Sequence, residues 1–294
     1  MFGEKQVPLS LGETGDIFLS IGGRVKVGNG RKMQLGAIIA AGGAGTRMNM
    51  DGSKQLLPLA GKPVVAHSLE MFEAHGAVKE IVIAIAAEDV GFCRQEVVAD
   101  GGFKKVTGIV PGGDTRGQSV ASAMTAMGPA IDTVLVHDGA RPLFPVEILD
   151  KGLKELEDDV CDGVIYGLPV TDTVKEVGGG VWIERTMDRS RLWAAQTPQI
   201  FRRGVLEKAY NLPAEVIAEA TDDAYLVESV GGRVRITMGS EENIKITTRA
   251  DLSVAEDILR RRRENSSPRS SLPLDGNGGD GTLPLEGEGQ SGCV

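Results

Sequence analysis

The chain has 294 residues, a formal net charge of −9 at pH 7 and a pI near 5.0, an acidic balance that argues against nucleic acid as the main partner. Hydrophobic residues make up 41% and charged residues 25%, as in ordinary globular proteins, and no apolar run reaches the roughly 18 residues of a membrane span. The cysteines Cys93, Cys161 and Cys293 lack metal-ligand spacing, so we expect reduced thiols and a cytoplasmic protein.

Composition divides the chain into three parts. Residues 1–33 are poorly patterned, and we expect either a disordered extension or a misplaced start, with translation beginning at Met33. Residues 34–264 carry the regular pattern of one domain. Residues 265–294 are rich in Ser, Pro, Gly and acidic residues, which bury too little apolar surface to order a chain, so they predict a disordered tail.

The first convincing strand begins at Leu35 and opens into a loop of small residues that carries two cations. The small residues include Ala41, Gly42, Gly43 and Gly45, and the cations are Arg47 and Lys54. Glycines let backbone N–H groups approach an anion closely, and fixed cations neutralise it. The loop lacks the Gly-Lys-Ser/Thr ending of a Walker loop and the third glycine of a dinucleotide fingerprint. It therefore predicts a polyphosphate site of another kind, with a ligand-free glycine turn as the alternative.

Strands and helices then alternate. Further strands are predicted at 80–86, 106–110, 133–136, 163–170 and 233–238. Helices are predicted at 63–75, 90–100, 119–127, 149–156, 203–210, 221–230 and 249–262. This alternation indicates βαβ units and a mainly parallel sheet flanked by helices. Ligands of such sheets bind beyond the carboxyl ends of the strands, where the glycine loop, residues 113–116 and residues 137–141 all fall.

Residues 171–196 interrupt this rhythm. Two short strands, 174–177 and 181–185, flank the turn Gly178-Gly179-Gly180 and read as a β-hairpin. Little helix surrounds it, so we predict a projecting arm. The segment Thr197-Pro198-Gln199 then returns the chain to the body of the domain.

Eight segments of this chain, in order, resemble a single family. They are AGGAGTRM (41–48), SKQLLPLAGKPV (53–64), GGDTRGQSV (112–120), HDGARP (137–142), TDTVK (171–175), TMDRSRLWAAQTPQIF (186–201), TDDA (221–224) and NIKIT (243–247). Over about residues 34–262 the chain is similar to the 2-C-methyl-D-erythritol 4-phosphate cytidylyltransferases of the non-mevalonate isoprenoid pathway. The resemblance implies a Rossmann-like α/β nucleotidyltransferase domain and a homodimer that exchanges its β-arm. It also implies Mg²⁺-dependent transfer of CMP from CTP to the sugar-alcohol phosphate, with release of pyrophosphate.

The resemblance also assigns roles to residues of this chain. The catalytic cations would be Arg47, Lys54 and Lys245. The nucleotide would lie against Ala41, Gly42, Gly43, Gly45, Gly113, Asp114 and Ser119. The acceptor would lie against Asp138, Arg141, Thr173, Arg189, Thr197 and Thr221, with Thr173 and Arg189 supplied by the arm of the partner subunit. Asp138 is also the candidate Mg²⁺ ligand, although the phosphates would hold most of the ion.

Other interpretations stay open for these residues. The cations are solvated surface charges in the simplest alternative, Asp114 and Ser119 are local helix caps, and the arm is a solvated hairpin of a monomer. We expect His137 to be a structural residue at a strand end and not a base. For the whole chain, the alternatives are a cytidylyltransferase acting on ribitol 5-phosphate and a non-catalytic nucleotide-binding regulator. An NAD-dependent oxidoreductase is disfavoured by the missing third glycine.

Overall fold

The fold is taken from a computed structural model of the chain. It describes residues 33–42, 53–158 and 161–266, together with the backbone of three N-terminal strands. These strands, β1 (Ser10–Leu11), β2 (Ile17–Ile21) and β3 (Arg24–Gly28), form an antiparallel sheet of their own. The predicted nucleotide residues Gly43 and Gly45, the predicted cation Arg47, and the tail beyond residue 266 lie outside the described residues.

A mixed sheet forms the centre of the domain. Within the described part of the chain its strands are β4 (Leu35–Ala41), β7 (Val78–Ile85), β8 (Val106–Pro111), β9 (Thr133–Asp138), β10 (Gly163–Pro169), β13 (Trp193–Arg202) and β14 (Val234–Met238). Their order is β14-β10-β13-β9-β4-β7-β8. All neighbouring pairs are parallel except the two that β13 makes with β9 and β10. The predicted mainly parallel α/β sheet is confirmed.

Helices cover both faces of this sheet. They are α1 (Val64–Ala74), α2 (Val90–Phe92, continued by a π-helical stretch Cys93–Ala99), α3 (Arg116–Ala126), α4 (Leu149–Asp158), α5 (Arg203–Ala209), α6 (Ala214–Glu219), α7 (Asp223–Ser229) and α8 (Arg249–Ser266). Phe72 of α1 and Tyr166 of β10 belong to the core on one face. Val120 of α3 and Leu206 of α5 belong to the core on the other. No helix among the described residues has the length and apolar character that a bilayer crossing requires.

Two of these elements were not predicted, and one begins earlier than predicted. Strand β13 contains the segment that we expected only to return the chain to the body of the domain, and a proline in its middle argues against a central strand. The structure resolves the conflict with a bulge: Ile165 pairs with Gln199 and Tyr166 with Gln196, so Thr197 and Pro198 leave the ladder. Helix α6 was also missed. Helix α3 begins at Arg116, three residues before the predicted start, because Thr115 and Gln118 form a capping box there.

The hairpin arm is present. Its strands are β11 (Lys175–Val177) and β12 (Ile183–Thr186), and they pair antiparallel with a bulge. A second small hairpin, β5 (Pro58–Leu59) with β6 (Lys62–Pro63), leads from the glycine loop into α1. Both hairpins lie between a strand of the central sheet and the next element, so neither interrupts the core.

Candidate active site

Two cavities lie side by side beyond the carboxyl ends of the parallel strands. The first is lined by Ala40, Gly42, Lys54, Gln55, Gly113, Asp114, Thr115, Arg116, Ser119, Asp138, Ala140 and Lys245. The second is lined by Arg116, Asp138, Arg141, Ala195, Gln196, Thr197, Gln199, Thr221, Asp222 and Lys245. Arg116, Asp138 and Lys245 belong to both linings and form the wall between the cavities. We call these three side chains the dividing wall.

Close backbone packing shapes the first cavity. A Cβ atom on Gly42 would lie 2.9 Å from Ser119 Oγ, and one on Gly112 would lie 2.8 Å from the same atom, so larger residues would collide there. Ser119 Oγ accepts a hydrogen bond from the Gly113 amide at 3.1 Å and donates to the Thr115 carbonyl at 3.0 Å. Ser119 therefore ties the loop after β8 to α3 while it also lines the cavity, but the N-cap of that helix is Thr115 and not Asp114 or Ser119.

Lys54 enters the first cavity from a short 3₁₀ turn, Lys54–Leu56. The preceding residue, Ser53, is buried, and its hydroxyl donates to the carboxylate of Asp89, which follows β7. This contact ties the end of the glycine loop to the neighbouring strand. Ala41, also predicted at the nucleotide, is fully buried at the end of β4.

Asp138 carries the negative charge at the centre of the dividing wall. Its Oδ1 lies 2.8 Å from Arg116 Nε, and its Oδ2 lies 2.7 Å from Lys245 Nζ and 3.7 Å from Arg141 Nε. Burial alone would raise the pKa of Asp138, but the charges of Arg116 and Lys245 outweigh burial and hold that pKa well below its usual range. The carboxylate therefore stays ionised and serves as a counter-charge shared by three cations.

The segment that carries Lys245 is held to the end of β9 by backbone contacts. The Ile246 amide donates to the Ala140 carbonyl at 2.8 Å, and Arg141 Nη1 donates to the Asn243 carbonyl at 2.8 Å. Asn243 is fully buried, and its Nδ2 donates to the Thr197 carbonyl at 2.8 Å. These contacts bring Lys245 next to Asp138, more than a hundred residues away in sequence.

His137 and Thr197 form a hydrogen-bonded pair beneath the second cavity. The bulge in β13 places Thr197 Oγ1 3.0 Å from the Asp138 amide, which donates to it, and 3.2 Å from His137 Nδ1. His137 Nε2 lies 2.9 Å from the Arg141 carbonyl, which only accepts, so Nε2 carries the proton and Nδ1 accepts from the Thr197 hydroxyl. Burial lowers the pKa of His137 to about 4. His137 thus has the structural position expected of it.

This buried neutral ring predicts a pH dependence of stability. An unfolded histidine binds a proton near pH 6.5, whereas His137 binds one in the native state only near pH 4, so acidification favours the unfolded state within that window. We expect the free energy of unfolding to fall by about 3 kcal/mol between these pH values because of this group. His137→Gln, which keeps a donor and an acceptor, should remove this part of the slope in urea titrations. Parallel curves for the two proteins would contradict the assignment.

Two charged residues of the site, one partly and one fully buried, were not predicted. Arg116 Nη2 lies 2.8 Å from Asp223 Oδ2, and Asp223 is fully buried at the start of α7. Both residues occur in motifs that carried the resemblance, GGDTRGQSV and TDDA. Nothing in their spacing indicates that they pair, because the contact joins α3 to α7 across the sheet edge.

The remaining predicted acceptor residues fall in two places. Thr221 lines the second cavity. Thr173 and Arg189 are exposed on the arm and belong to the lining of neither cavity, and Arg189 donates to the Thr171 carbonyl. In a single chain, therefore, the arm residues and the cavity residues are not brought together.

The donor set does not fit a resident metal ion. Across the described ranges, no three His, Cys, Asp or Glu side chains are grouped so that they could hold one. The tentative Mg²⁺ ligand, Asp138, already directs both carboxylate oxygens at cations. Direct binding of Mg²⁺ by Asp138 stays a prediction, and it would require that the ion draw Lys245 or Arg116 away from the carboxylate.

The comparisons with known proteins all return proteins described as the same enzyme. The family model described as "IspD: 2-C-methyl-D-erythritol 4-phosphate cytidylyltransferase" matches residues 35–261. The chain is 43% identical over 235 residues to the protein of that name from Pelotomaculum thermopropionicum, covering 78% of this chain and 96% of the relative. It is 38% identical over 227 residues to the one from Alkaliphilus metalliredigens, covering 77% and 93%. The crystal structure of 4-diphosphocytidyl-2C-methyl-D-erythritol synthase from Anaerococcus prevotii superposes with a TM-score of 0.67 at 27% identity, covering 78% of this chain and 97% of that one.

Proposed function

The chain belongs to the 2-C-methyl-D-erythritol 4-phosphate cytidylyltransferase family, and we propose that its two cavities hold the two substrates of that reaction. The enzyme transfers the cytidylyl group of CTP to 2-C-methyl-D-erythritol 4-phosphate in the non-mevalonate pathway, giving 4-diphosphocytidyl-2-C-methyl-D-erythritol and pyrophosphate. CTP occupies the first cavity and the acceptor occupies the second. The family assignment is the evidence for the reaction, and the dividing wall is the observation that supports this placement of its substrates.

The dividing wall supports this placement because it presents cations to both sides at once. Lys245 and Arg116 line both cavities, Lys54 lines the first and Arg141 the second. The triphosphate would meet Lys54 and Lys245, and the acceptor phosphate would meet Arg141 and Lys245. The two reacting anions are thus brought to opposite sides of one group of cations, which offsets their mutual repulsion.

The chemical step needs little from the protein besides position and charge. An oxygen of the acceptor phosphate attacks the α-phosphorus, and the bond from that phosphorus to the oxygen bridging to the β-phosphate breaks, so pyrophosphate leaves with the electron pair. A phosphate monoester has its second pKa near 6, so its oxygen is already charged at neutral pH and no general base is required. This agrees with His137, whose ring nitrogens are both committed within the fold. Lys54 and Lys245 stabilise the charge that develops on the departing pyrophosphate and on the α-phosphate.

A divalent cation, in this proposal, arrives as part of the nucleotide substrate. Triphosphate oxygens are hard ligands that Mg²⁺ prefers, and the protein would contact the ion's phosphates instead of the ion itself. The chain's own contribution is then to hold the phosphates through Lys54 and Lys245.

The arm supports assembly into a homodimer. Val181 and Trp182 are 89% and 81% exposed at its tip, and Val177 and Ile183 are also exposed. Apolar side chains grouped in this way on a projecting hairpin are typical of an interaction surface. Arg189 lies on the same arm, and its guanidinium suits bidentate binding of a phosphate. In the proposed dimer, Arg189 and Thr173 reach the second cavity of the partner subunit.

Mixing two inactive variants tests the shared site. Lys54→Ala disables the cavity of its own chain, and Arg189→Ala disables the arm that serves the other chain. A two-fold heterodimer of these variants contains one intact site, so random mixing should restore about a quarter of the wild-type activity. Activity is measured after co-expression and isolation of the mixture. If a confirmed heterodimer recovers no activity, Arg189 acts within its own chain.

The function itself is tested by pyrophosphate release from CTP and Mg²⁺ with three additions: 2-C-methyl-D-erythritol 4-phosphate, ribitol 5-phosphate, or no acceptor. Release only with the methylerythritol phosphate is expected. Preference for ribitol 5-phosphate would keep the site and change the acceptor. Binding of CTP without release in either case would favour the nucleotide-binding regulator.

A further inference from the structure

A series of partly buried polar contacts leads from the dividing wall to Tyr210, which lies at the end of α5. The Tyr210 hydroxyl donates to Asp223 Oδ1 at 2.5 Å, and the other oxygen of Asp223 lies 2.8 Å from Arg116 Nη2. Arg116 Nε then lies 2.8 Å from Asp138 Oδ1. The Arg116 guanidinium is therefore held between two carboxylates, one of which faces the cavities while the other is wholly buried.

The fold holds Asp223, at the far end of this series of contacts, in place. Gln199 of β13 is buried, and its Oε1 accepts from the Asp223 amide at 3.1 Å and the Ala224 amide at 3.0 Å. Its Nε2 donates to Asp222 Oδ2 at 2.9 Å, and Asp222 Oδ1 caps α7. The backbone that carries Asp223 is thus held independently of Arg116, so Asp223 is a fixed point toward which Arg116 is drawn.

Charge and protonation agree with this geometry. Burial alone would lower the pKa of Arg116, but Asp223 and Asp138 outweigh it and raise that pKa well above its usual value. Burial, and then the charge of Asp223, raises the pKa of Tyr210 well above its usual value, so its hydroxyl remains a donor at neutral pH. Without that donor, Asp223 would depend on Arg116 alone, and a buried carboxylate that lacks a donor is costly.

We propose that Tyr210 and Asp223 are positioning residues that hold Arg116, and through it Asp138, in the orientation that transfer requires. Arg116 and Asp138 form the fixed half of the dividing wall. Lys245, whose side chain is 39% exposed, is the half that a substrate phosphate can draw away from Asp138. The inference rests on the proposed function for its kinetic consequence, but its structural part does not depend on that function.

Tyr210→Phe removes only the hydroxyl, and Tyr166→Phe is its matched control. The Tyr166 hydroxyl donates to the Ile148 carbonyl at 2.9 Å, and the residue is fully buried in the core away from both cavities. We expect Tyr210→Phe to lower kcat about tenfold, which is about 1.4 kcal/mol in the barrier, with KM for CTP changed less than about threefold. Tyr166→Phe should lower the melting temperature and leave kcat within about twofold. An unchanged kcat in Tyr210→Phe, or an equal fall in Tyr166→Phe, would overturn the proposal.

Asp223→Asn provides the second variant. It removes a negative charge near the cavities, so a purely electrostatic role would improve the binding of anionic substrates without lowering kcat. A positioning role lowers kcat about as much as Tyr210→Phe does. Because Tyr210 acts through Asp223, the double variant should be no slower than Asp223→Asn alone. A multiplicative loss in the double variant would contradict the relay.

The readout that does not depend on activity is the Arg116 Nε–H resonance in ¹⁵N-arginine-labelled protein, identified by its absence in Arg116→Lys. We expect a sharp, slowly exchanging signal in the wild type and in Tyr166→Phe, and a broadened or missing one in Tyr210→Phe. If the three proteins show these signals but the wild type releases no pyrophosphate, the proposed function is refuted and the positioning of Arg116 still stands. A signal unaffected by Tyr210→Phe would refute the positioning even in an active enzyme.

Discussion

Replacing Lys54 with methionine is expected to lower the rate of pyrophosphate release by about 10²–10³-fold, with a smaller change in KM for CTP. Lys54 lines the first cavity together with Lys245 and Arg116, the other two side-chain cations in the described part of that lining. Charge on the leaving pyrophosphate grows only as the bond breaks. A cation at this place is therefore worth more in the transition state than in the bound state.

Lys62→Met is the matched control for this variant. Lys62 lies in the same connection between β4 and α1, but it is half exposed and pairs with Glu70 on the surface. Its loss should leave turnover within about twofold, because exposed pairs contribute little. Pyrophosphate release in a single turnover is the measurement. Equal effects of the two substitutions, or a loss confined to KM in Lys54→Met, would place Lys54 outside the reacting centre.

Replacing Asp138 with asparagine is expected to harm both stability and turnover. Its carboxylate is the shared counter-charge of Arg116, Lys245 and Arg141, and its loss leaves the partly buried Arg116 and Arg141 uncompensated. Breaking a buried ion pair from one side costs about 3–5 kcal/mol of unfolding free energy. We expect kcat to fall at least about 10²-fold, because the dividing wall loses the group that orients its cations. Binding of CTP should become tighter, since cations released from Asp138 attract the phosphates.

The control for Asp138 is Asp150→Asn, which removes a carboxylate that is 78% exposed and pairs with His75. Its effect on unfolding should stay within about 0.5 kcal/mol. Urea titrations and calorimetric CTP titrations measure the two effects separately. If Asp138→Asn were as stable as Asp150→Asn and bound CTP no more tightly than the wild type, the shared counter-charge would not exist in solution.

Local patterns predicted the parts of the fold that follow a single period. The strand at Leu35 and the helix from Val64 are examples, since their apolar residues alone specify a buried strand and an amphipathic face. Strand β13 does not follow such a pattern. Its polar residues Gln196, Thr197 and Gln199 are buried because each finds a partner in a distant segment, and a proline in its centre is tolerated only through the bulge.

In the site, too, local sequence predicts some residues, while contacts between distant segments are not predictable. Asp138 could be predicted because it lies at a strand end, and Lys54 because it lies in the connection that follows a strand, where parallel sheets bind their ligands. The pairing of Arg116 with Asp223 could not, because no local rule relates residues on α3 and α7 that meet only after the sheet has formed. The role of Asp138 as a metal ligand stays a prediction for a related reason. The sequence places a carboxylate at a strand end, but it does not show that Arg116 and Lys245 lie beside that carboxylate in space.

Strand β13 joins the arm to the floor of the second cavity without a break. It runs for ten residues from Trp193, which is partly exposed at the base of the arm, through a buried stretch to the exposed Arg202, a length of about 33 Å. Thr197, which contacts Asp138, and Gln199, which contacts Asp223, both lie on this strand. The same strand begins at the base of the arm, the surface that would meet a partner. The bulge at Thr197 and Pro198 lies between the base of the arm and Gln199, but the strand continues on both sides of it. A subunit that docks on the arm would therefore act, through this strand, on the floor of the second cavity. Assembly of the dimer and alignment of the site would then be coupled.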